Sequence, residues 1–238
     1  MNATRVEILS HLPKGMRVAE IGAQAGEYSG DLLKHLEPRE LHLIDPWIYH
    51  ADEYYRHDPA NVPQELQDRL YDHVRSRFAD HIGTGRVKLH RAKSLEIVSH
   101  FPNDFFDMVY VDAMHYHDAV LNDLIAYAPK IRPGGILCGH DFCDHQLAAA
   151  MSFGVVSAVG TFIKRSAWDF DVISGKEDFP SYFLTDGRGE DWINHLVKSA
   201  FLNYVDCIEL PNSLAPNFKA KLIVDADGKR WRLLSSFA

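Results

Sequence analysis

Acidic and histidine residues that could carry chemistry follow two apolar runs in the middle of the chain. Asp112 and His115 lie three residues apart in YVDAMH, and His140 and Asp141 come directly after ILCG, 28 residues beyond Asp112. Such runs are typical of buried parallel strands, whose carboxyl ends open at one edge of a sheet. We therefore expect Asp112 and Asp141 to meet there and to hold a hard divalent cation through oxygen.

The chemistry of imidazole predicts the roles of the two histidines. His115 has an ordinary pKa near neutrality, so it can accept a proton from a hydroxyl group. His140 is predicted to be a metal ligand beside Asp112 and Asp141, and it is the next candidate for the base. Imidazole suits Mn²⁺ better than Mg²⁺, which leaves the metal open. Two alternatives remain: Asp112 as a capping or cofactor-contacting acid, and His140 as a hydrogen-bonded strand-end histidine.

A glycine-containing turn in VAEIGAQAGEYS indicates a cofactor site near the N-terminus. An apolar strand runs into Glu20, Gly22 permits a tight turn, and Gly26 lets the backbone approach a ligand at a helix N-terminus. The dinucleotide pattern G-x-G-x-x-G would need glycine in place of Gln24, which disfavours an NAD(P)-dependent oxidoreductase. Asp45 follows Glu20 by 25 residues, at the end of the next strand, where a carboxylate can accept both hydroxyls of a ribose.

The elements that position these residues alternate between strand and helix patterns. We predict strands at 16–21, 41–45, 87–90, 107–112, 136–139, 169–173 and 182–185, and helices at 26–36, 64–79, 118–128, 146–164 and 192–204. Pro133, Gly134 and Gly135 are predicted as a turn before the fifth strand. This alternation predicts an α/β fold, a doubly wound, Rossmann-like and mostly parallel seven-stranded sheet with helices on both faces.

We expect residues 1–188 to form this domain. Residues 189–238 would form a C-terminal extension, a helix plus a hairpin turning at Asp227 and Gly228, packed on the same domain. The connection that carries Trp47, Tyr49, Tyr54 and Tyr55 is unusually aromatic. It is predicted either to form a lid or acceptor pocket or to pack on the helix at 64–79.

Composition limits the partners. The net charge of −8 disfavours binding to a nucleic-acid backbone, which needs clustered lysine and arginine. No run approaches the ~20 apolar residues that span a bilayer. The 3 cysteines have no metal-type spacing, as expected in a reducing cytoplasm. We therefore expect a soluble cytoplasmic protein with a small-molecule partner, no nucleic acid and no membrane; a homo-oligomer is left open.

Residues 15–165 resemble the class I S-adenosylmethionine-dependent methyltransferases. Their first motif, E-x-G-x-x-x-G, is matched by Glu20, Gly22 and Gly26. The stretch YVDAMHYHDAVLNDLIAYAPKIRPGGILCGHDF is similar to the group of macrocin and mycinamicin sugar O-methyltransferases. The chain departs from that group at His140, where relatives usually carry aspartate or glutamate.

The resemblance implies which residues bind the cofactor. Gly22, Ala23 and Gly26 would border the methionine part of S-adenosylmethionine, with Glu20 near its amino group. Asp45 would hold the ribose, and Ser94, in the loop 92–94, would lie by the adenine.

The function implied is S-adenosylmethionine-dependent transfer of a methyl group to a hydroxyl of a small molecule or sugar. A divalent ion, Mg²⁺ or Mn²⁺, and a histidine base would assist. The alternatives are a metal-independent N- or C-methyltransferase and a noncatalytic nucleotide-binding Rossmann domain. A pure binding module has no need of His115, His140 and Asp141, which argues against the last of these.

Overall fold

A seven-stranded sheet forms the centre of the molecule in a computed structural model, which describes residues 1–51, 55, 58, 60–188, 190–202, 220–224 and 230–234. The strands are β1 (Arg17–Ile21), β2 (Glu40–Ile44), β3 (Val87–His90), β4 (Phe106–Val111), β5 (Ile131–Gly139), β6 (Asp169–Ile173) and β7 (Tyr182–Thr185). Their order across the sheet is β3-β2-β1-β4-β5-β7-β6. Strands β1 to β5 are parallel, and β7 is antiparallel to both β5 and β6. The predicted Rossmann-like fold is confirmed.

Helices cover both faces of the sheet. They are α1 (Arg5–Leu9), α2 (Glu27–Leu36), α3 (Gln64–Arg77), α4 (Ala79–Gly83), α5 (Ser94–Ile97), α6 (His117–Tyr127), α7 (Gln146–Ala150), α8 (Val155–Arg165) and α9 (Glu190–Leu202). Alternate residues of a strand point to opposite faces, so each strand contributes to two cores. Tyr110 packs in the core with Leu32 of α2 and Val74 of α3. Its neighbour Val109 packs in the core with Leu124 of α6 and Val159 of α8.

The fifth strand begins earlier than predicted. Pro133, Gly134 and Gly135 do not form a turn ahead of it but lie inside β5, where the pairing with β4 shifts register. A Cβ at residue 135 would lie 2.7 Å from the carbonyl oxygen of Asp107, so only glycine lets the two strands approach at this irregularity.

The predicted helix at 146–164 is wrong as a single element. It is divided into α7 and α8, and the chain between them includes Ser152 with a φ of 58°. The N–H of Gly154 donates to the carbonyl of His115 at 2.7 Å, and a Cβ at residue 154 would lie 2.4 Å from the nitrogen of His117. The break therefore packs against the loop that carries His115.

The C-terminal region contains α9 and two further strands, β8 (Ala220–Val224) and β9 (Arg230–Leu234), which pair antiparallel. Trp192 and Leu196 of α9 are buried in the same core as α1 and α2. Asp227 and Gly228, where a turn is predicted, lie outside the described residues, and the division at residue 188 stays a prediction. Within the part of the chain that the structure describes, no helix is long and apolar enough to cross a membrane.

Candidate active site

The turn between β1 and α2 is built around glycine. Gly22 has a φ of 91°, and a Cβ there would lie 1.9 Å from the carbonyl oxygen of Asp112. The β1 and β4 strand ends can therefore approach only with glycine at this position. Gly26, with a φ of 73°, precedes the first residue of α2 and packs against the ring of Phe78. Gln24 adopts a φ of 44° in the same turn.

Asp45 fastens this turn to the end of β2. Its two carboxylate oxygens accept hydrogen bonds from the N–H groups of Gln24, at 2.9 Å, and Trp47, at 2.7 Å. Burial raises the pKa of the Asp45 carboxyl, although both N–H groups act in the opposite direction. The indole of Trp47 donates to the carbonyl of Gln24 at 2.9 Å and packs on Tyr71 of α3. Asp45 is thus held rigidly at the edge of the turn.

The aromatic connection after β2 is predicted either to pack on the helix at 64–79 or to form a lid or acceptor pocket. Its described residues lie partly against that helix and partly at a cavity. Trp47 is fully buried against α3, whereas Tyr55 lines the cavity at the carboxyl edge of the sheet. Tyr49 is exposed, and Tyr54 lies outside the described residues.

Glu20 is buried at the end of β1 and accepts a hydrogen bond from the hydroxyl of Ser29. Burial raises the pKa of its carboxyl to about 8, because an ionised carboxylate loses its hydration there. The group is mostly protonated at neutral pH unless a cation binds beside it.

A second buried acid lies at the beginning of α5. The Ser94 hydroxyl donates to Asp123 of α6 at 2.5 Å, and burial raises the pKa of Asp123 to about 6. Asp123 lies inside a helix pattern and is 29 residues away from Ser94, so the sequence pattern does not mark it as a site residue.

A cavity of about 720 Å³ opens along the carboxyl edge of β1, β2 and β4. Six of the predicted cofactor residues line it: Glu20, Gly22, Ala23, Asp45, Ser94 and Asp112. Gly26, the seventh, is not among the described residues of its wall and instead supports α2. A cavity of this volume fits a nucleoside cofactor together with a small acceptor.

The strand-end acids and histidines meet at one side of this cavity. His115 Nε2 lies 2.8 Å from Asp141 Oδ2 and 3.5 Å from Asp112 Oδ1. His140 Nδ1 lies 3.2 Å from Asp141 Oδ1 and 3.8 Å from Asp112 Oδ2. His115 and Asp112 line the cavity, whereas His140 and Asp141 are not among the described residues of its wall.

The charges in this cluster are strongly coupled. Burial alone would lower the pKa of His115, but the carboxylates of Asp112 and Asp141 outweigh it and raise the pKa to about 10. The pKa of His140 is also raised, by the same two acids acting against burial. In turn the histidines lower the pKa values of Asp112 and Asp141, although burial acts in the opposite direction. The two carboxylates therefore require positive charge beside them.

The residues present fit a divalent cation. Asp112, His115 and Asp141 offer ligand atoms that all lie within 4.8 Å of one another. Both ring nitrogens of His115 are buried, and Nε2 is not aligned for a hydrogen bond although it lies 2.8 Å from Asp141 Oδ2. This set differs in its histidine from the predicted set of Asp112, His140 and Asp141, although His140 lies beside the same two acids.

Two charged residues reach the cluster from distant parts of the chain, and no local pattern marks them. Arg5 of α1 donates from Nη1 to Asp112 Oδ2 at 3.1 Å, and the two residues are 107 positions apart. Asp58, in the connection after β2, places Oδ2 3.9 Å from His115 Nδ1.

Solved structures with this fold include several methyltransferases. An O-methyltransferase family protein from Burkholderia thailandensis superposes with a TM-score of 0.54 and 14% identity, over 76% of this chain and 54% of that chain. The chain thus spans about half the length of that protein.

Two further similar structures contain the cofactor. The O-methyltransferase TomG from Streptomyces achromogenes, in complex with SAM, gives a TM-score of 0.53 and 19% identity over 75% of this chain and 76% of that one. Aeropyrum pernix fibrillarin, with natively bound S-adenosyl-L-methionine, gives a TM-score of 0.50 and 9% identity over 73% of this chain and 67% of that one. At these identities the likeness shows the fold alone. None of the curated protein sequences gives a significant match.

The fold and the cavity at its carboxyl edge define a Rossmann-like α/β protein of the methyltransferase type. Residues 19–142 match the methyltransferase domain family, and the chain belongs to it. The matched range contains most of β1, all of β2 to β5, the glycine turn, and the site residues Asp45, Asp112, His115, His140 and Asp141. Family membership confirms the prediction of a methyltransferase domain.

Proposed function

We propose that this protein transfers the methyl group of S-adenosylmethionine to a hydroxyl oxygen of a small molecule or a sugar. The observation that carries the proposal is the position of His115: it lines the same cavity as Glu20, Asp45 and the glycine turn, and two carboxylates flank it, the buried Asp141 and the partly buried Asp112. A cofactor in that cavity and a proton acceptor on its wall are what methyl transfer to oxygen requires.

The cavity wall offers partners for three polar parts of the cofactor: the ammonium group, the ribose hydroxyls and the adenine. Glu20 pairs with the ammonium group, and Asp45 accepts hydrogen bonds from the ribose hydroxyls. Ser94 and the buried Asp123 bind the adenine end. TomG and fibrillarin, which share the fold, hold this cofactor in their structures.

The reaction requires one bond to form as another breaks. The acceptor oxygen attacks the methyl carbon, the carbon–sulfur bond breaks, and its electron pair neutralises the sulfonium to give a thioether. The hydroxyl proton passes to His115, which faces the cavity, whereas His140 does not line it. Alignment of oxygen, carbon and sulfur supplies much of the acceleration.

A divalent ion would be held by Asp112 and Asp141, with His140, which lies beside both acids, as the third ligand in place of His115, so that His115 stays available for the proton. Without an ion, the carboxylates of Asp112 and Asp141 keep a proton on His115. His115 can act as a base only when another positive charge balances these two carboxylates. Bound there, Mg²⁺ or Mn²⁺ would supply that charge and lower the pKa of the acceptor hydroxyl.

One observation favours a second candidate, a metal-independent N- or C-methyltransferase. The guanidinium of Arg5 already pairs with Asp112 Oδ2, so part of the negative charge is balanced by the chain itself. An amine acceptor, once neutral, needs no ion to activate it.

The proposal is tested with cofactor carrying a ¹⁴C-labelled methyl group. The enzyme, with Mg²⁺ or Mn²⁺, is offered catechols, sugars and glycosylated natural products, each beside an analogue whose hydroxyl is replaced by an amine. We expect labelled ethers from the hydroxyl compounds. Label found only in the amines, or on carbon, would establish the second candidate instead. No transfer to any acceptor would favour a noncatalytic role.

A further inference from the structure

The charges on the cavity wall do not match the cofactor at one point. Glu20, Asp45 and Asp112 suit a ligand with an ammonium and a sulfonium group, but they repel its carboxylate. Among the described residues of the wall, Arg5 and Lys93 are the only arginine or lysine side chains. Lys93 adjoins Ser94 at the adenine end, which leaves Arg5 as the permanently charged side chain for the methionine end.

The Arg5 side chain is fixed before any ligand binds. Its guanidinium lies 4.4 Å from the centre of the Tyr28 ring, and Nη1 donates to the Tyr110 hydroxyl at 2.8 Å and to Asp112 at 3.1 Å. The backbone N–H of Arg5 donates to the Glu177 carboxylate at 2.9 Å, and the side-chain Nε lies 3.9 Å from the same carboxylate. In the part of the chain described, Nη2 makes no hydrogen bond to another residue. A preorganised charged donor therefore remains for a ligand.

We infer that Arg5 binds the α-carboxylate of the methionine part of S-adenosylmethionine. The inference rests on the proposed cofactor and adds a contact that no motif predicts. Glu20 and Arg5 line the same cavity, and the guanidinium of Arg5 lies over Tyr28, another residue of its wall. Since ammonium and carboxylate share one carbon in an amino acid, one acid and one cation on the same wall can recognise the pair. The contact selects a cofactor that retains its carboxylate.

The test compares two ligands that differ only in this group. One is S-adenosylhomocysteine, and the other is its decarboxylated form, S-adenosyl-3-thiopropylamine, which keeps the ammonium. Calorimetry gives Kd for each with the wild-type protein, Arg5→Met and Arg5→Lys. Arg17→Met is the matched control, since Arg17 also lies over an aromatic ring, at 4.1 Å from Phe105, and pairs with a carboxylate, that of Glu40, away from the cavity.

Arg5→Met should weaken S-adenosylhomocysteine binding by about 10-fold or more, through loss of a charge-assisted hydrogen bond. The same change should alter the Kd of the decarboxylated ligand by no more than about 2-fold. Arg5→Lys should weaken S-adenosylhomocysteine binding less than Arg5→Met does, because lysine keeps the charge but lacks the paired donors of the guanidinium. Arg17→Met should affect neither ligand.

Equal weakening of both ligands by Arg5→Met would show a purely structural role and overturn the inference. If Arg5→Met does not fold, Arg5→Lys carries the same comparison. Failure of the wild-type protein to bind either ligand would instead refute the proposed cofactor, and the inference with it.

Discussion

Single residues at the cavity are predicted to respond to pH, and Glu20 is the clearest case. Burial raises its pKa to about 8, so the carboxyl is protonated in the ligand-free protein at pH 6. Binding of the cofactor's ammonium requires the ionised form, so Glu20 must release its proton on binding. Affinity for S-adenosylhomocysteine should therefore rise by up to about tenfold for each pH unit between 6 and 8, and should flatten above 8.

Calorimetry in buffers of different ionisation enthalpy measures this proton directly. At pH 7 the wild-type protein should release close to one proton, and Glu20→Gln should release none. A proton count of zero in the wild-type protein would show that Glu20 does not pair with the ammonium.

The sequence predicted the site residues that lie at strand ends. It could not predict those that distant segments of the chain bring to the site by tertiary packing. Glu20, Asp45, Asp112 and Asp141 each follow an apolar run, and the parallel sheet brings such ends to one edge. Arg5, by contrast, reaches Asp112 across 107 residues. Tertiary packing produces that contact: α1 packs against α2, and the backbone N–H of Arg5 is bonded to Glu177.

At the scale of elements, the break between α7 and α8 is predicted to support catalysis. A Cβ at residue 154 would lie 2.4 Å from the nitrogen of His117, so Gly154→Ala must displace the loop that carries His115. Turnover should fall by about 10-fold or more, since small misplacements of a reacting group are costly. Affinity for S-adenosylhomocysteine should change little, because the glycine turn lies on other elements.

Gly83→Ala provides the control for this change. Residue 83 has no atom within 4 Å of the added Cβ, so turnover should be unaffected. If Gly154→Ala retained normal turnover with a normal unfolding temperature, the break would not position His115.

The same break shows where helix patterns in the sequence are insufficient. Residues 146–164 are rich in alanine and apolar side chains, which favour one continuous helix. The hydrogen bond from Gly154 to His115 and the close contact with His117 override that preference. Both are tertiary contacts with a loop more than 30 residues earlier, so local propensity carries no sign of them. The strands at 87–90, 169–173 and 182–185, whose apolar runs are short and bounded by turns, were predicted with the observed limits.

At the scale of the whole molecule, a divalent ion is predicted to stabilise the fold. A ligand that binds only the native state raises the unfolding temperature, and the rise grows with the ligand concentration relative to its Kd. Mn²⁺ should raise the unfolding temperature of the wild-type protein, at least as much as Mg²⁺ does, and Asp141→Asn should abolish the rise. Asparagine suits this position because Asp141 has a φ of 59°.

Asp171→Asn is the matched control, since Asp171 lies in β6 and is bonded by Thr185 rather than by the cluster. It should keep the response to Mn²⁺. The same response in Asp141→Asn, or none in the wild-type protein, would show that the acids do not hold an ion.

The central claim is that His115 removes the proton from a hydroxyl acceptor bound beside the cofactor. Its most direct test is the single-turnover rate of methyl transfer to such an acceptor, with Mn²⁺ present, in the wild-type protein and in His115→Ala. We predict a rate lower by roughly 10²-fold or more in the variant, with affinities for S-adenosylhomocysteine and Mn²⁺ nearly unchanged. A near-normal rate would contradict the claim and move the base to His140, while loss of Mn²⁺ binding would make His115 a ligand of the ion.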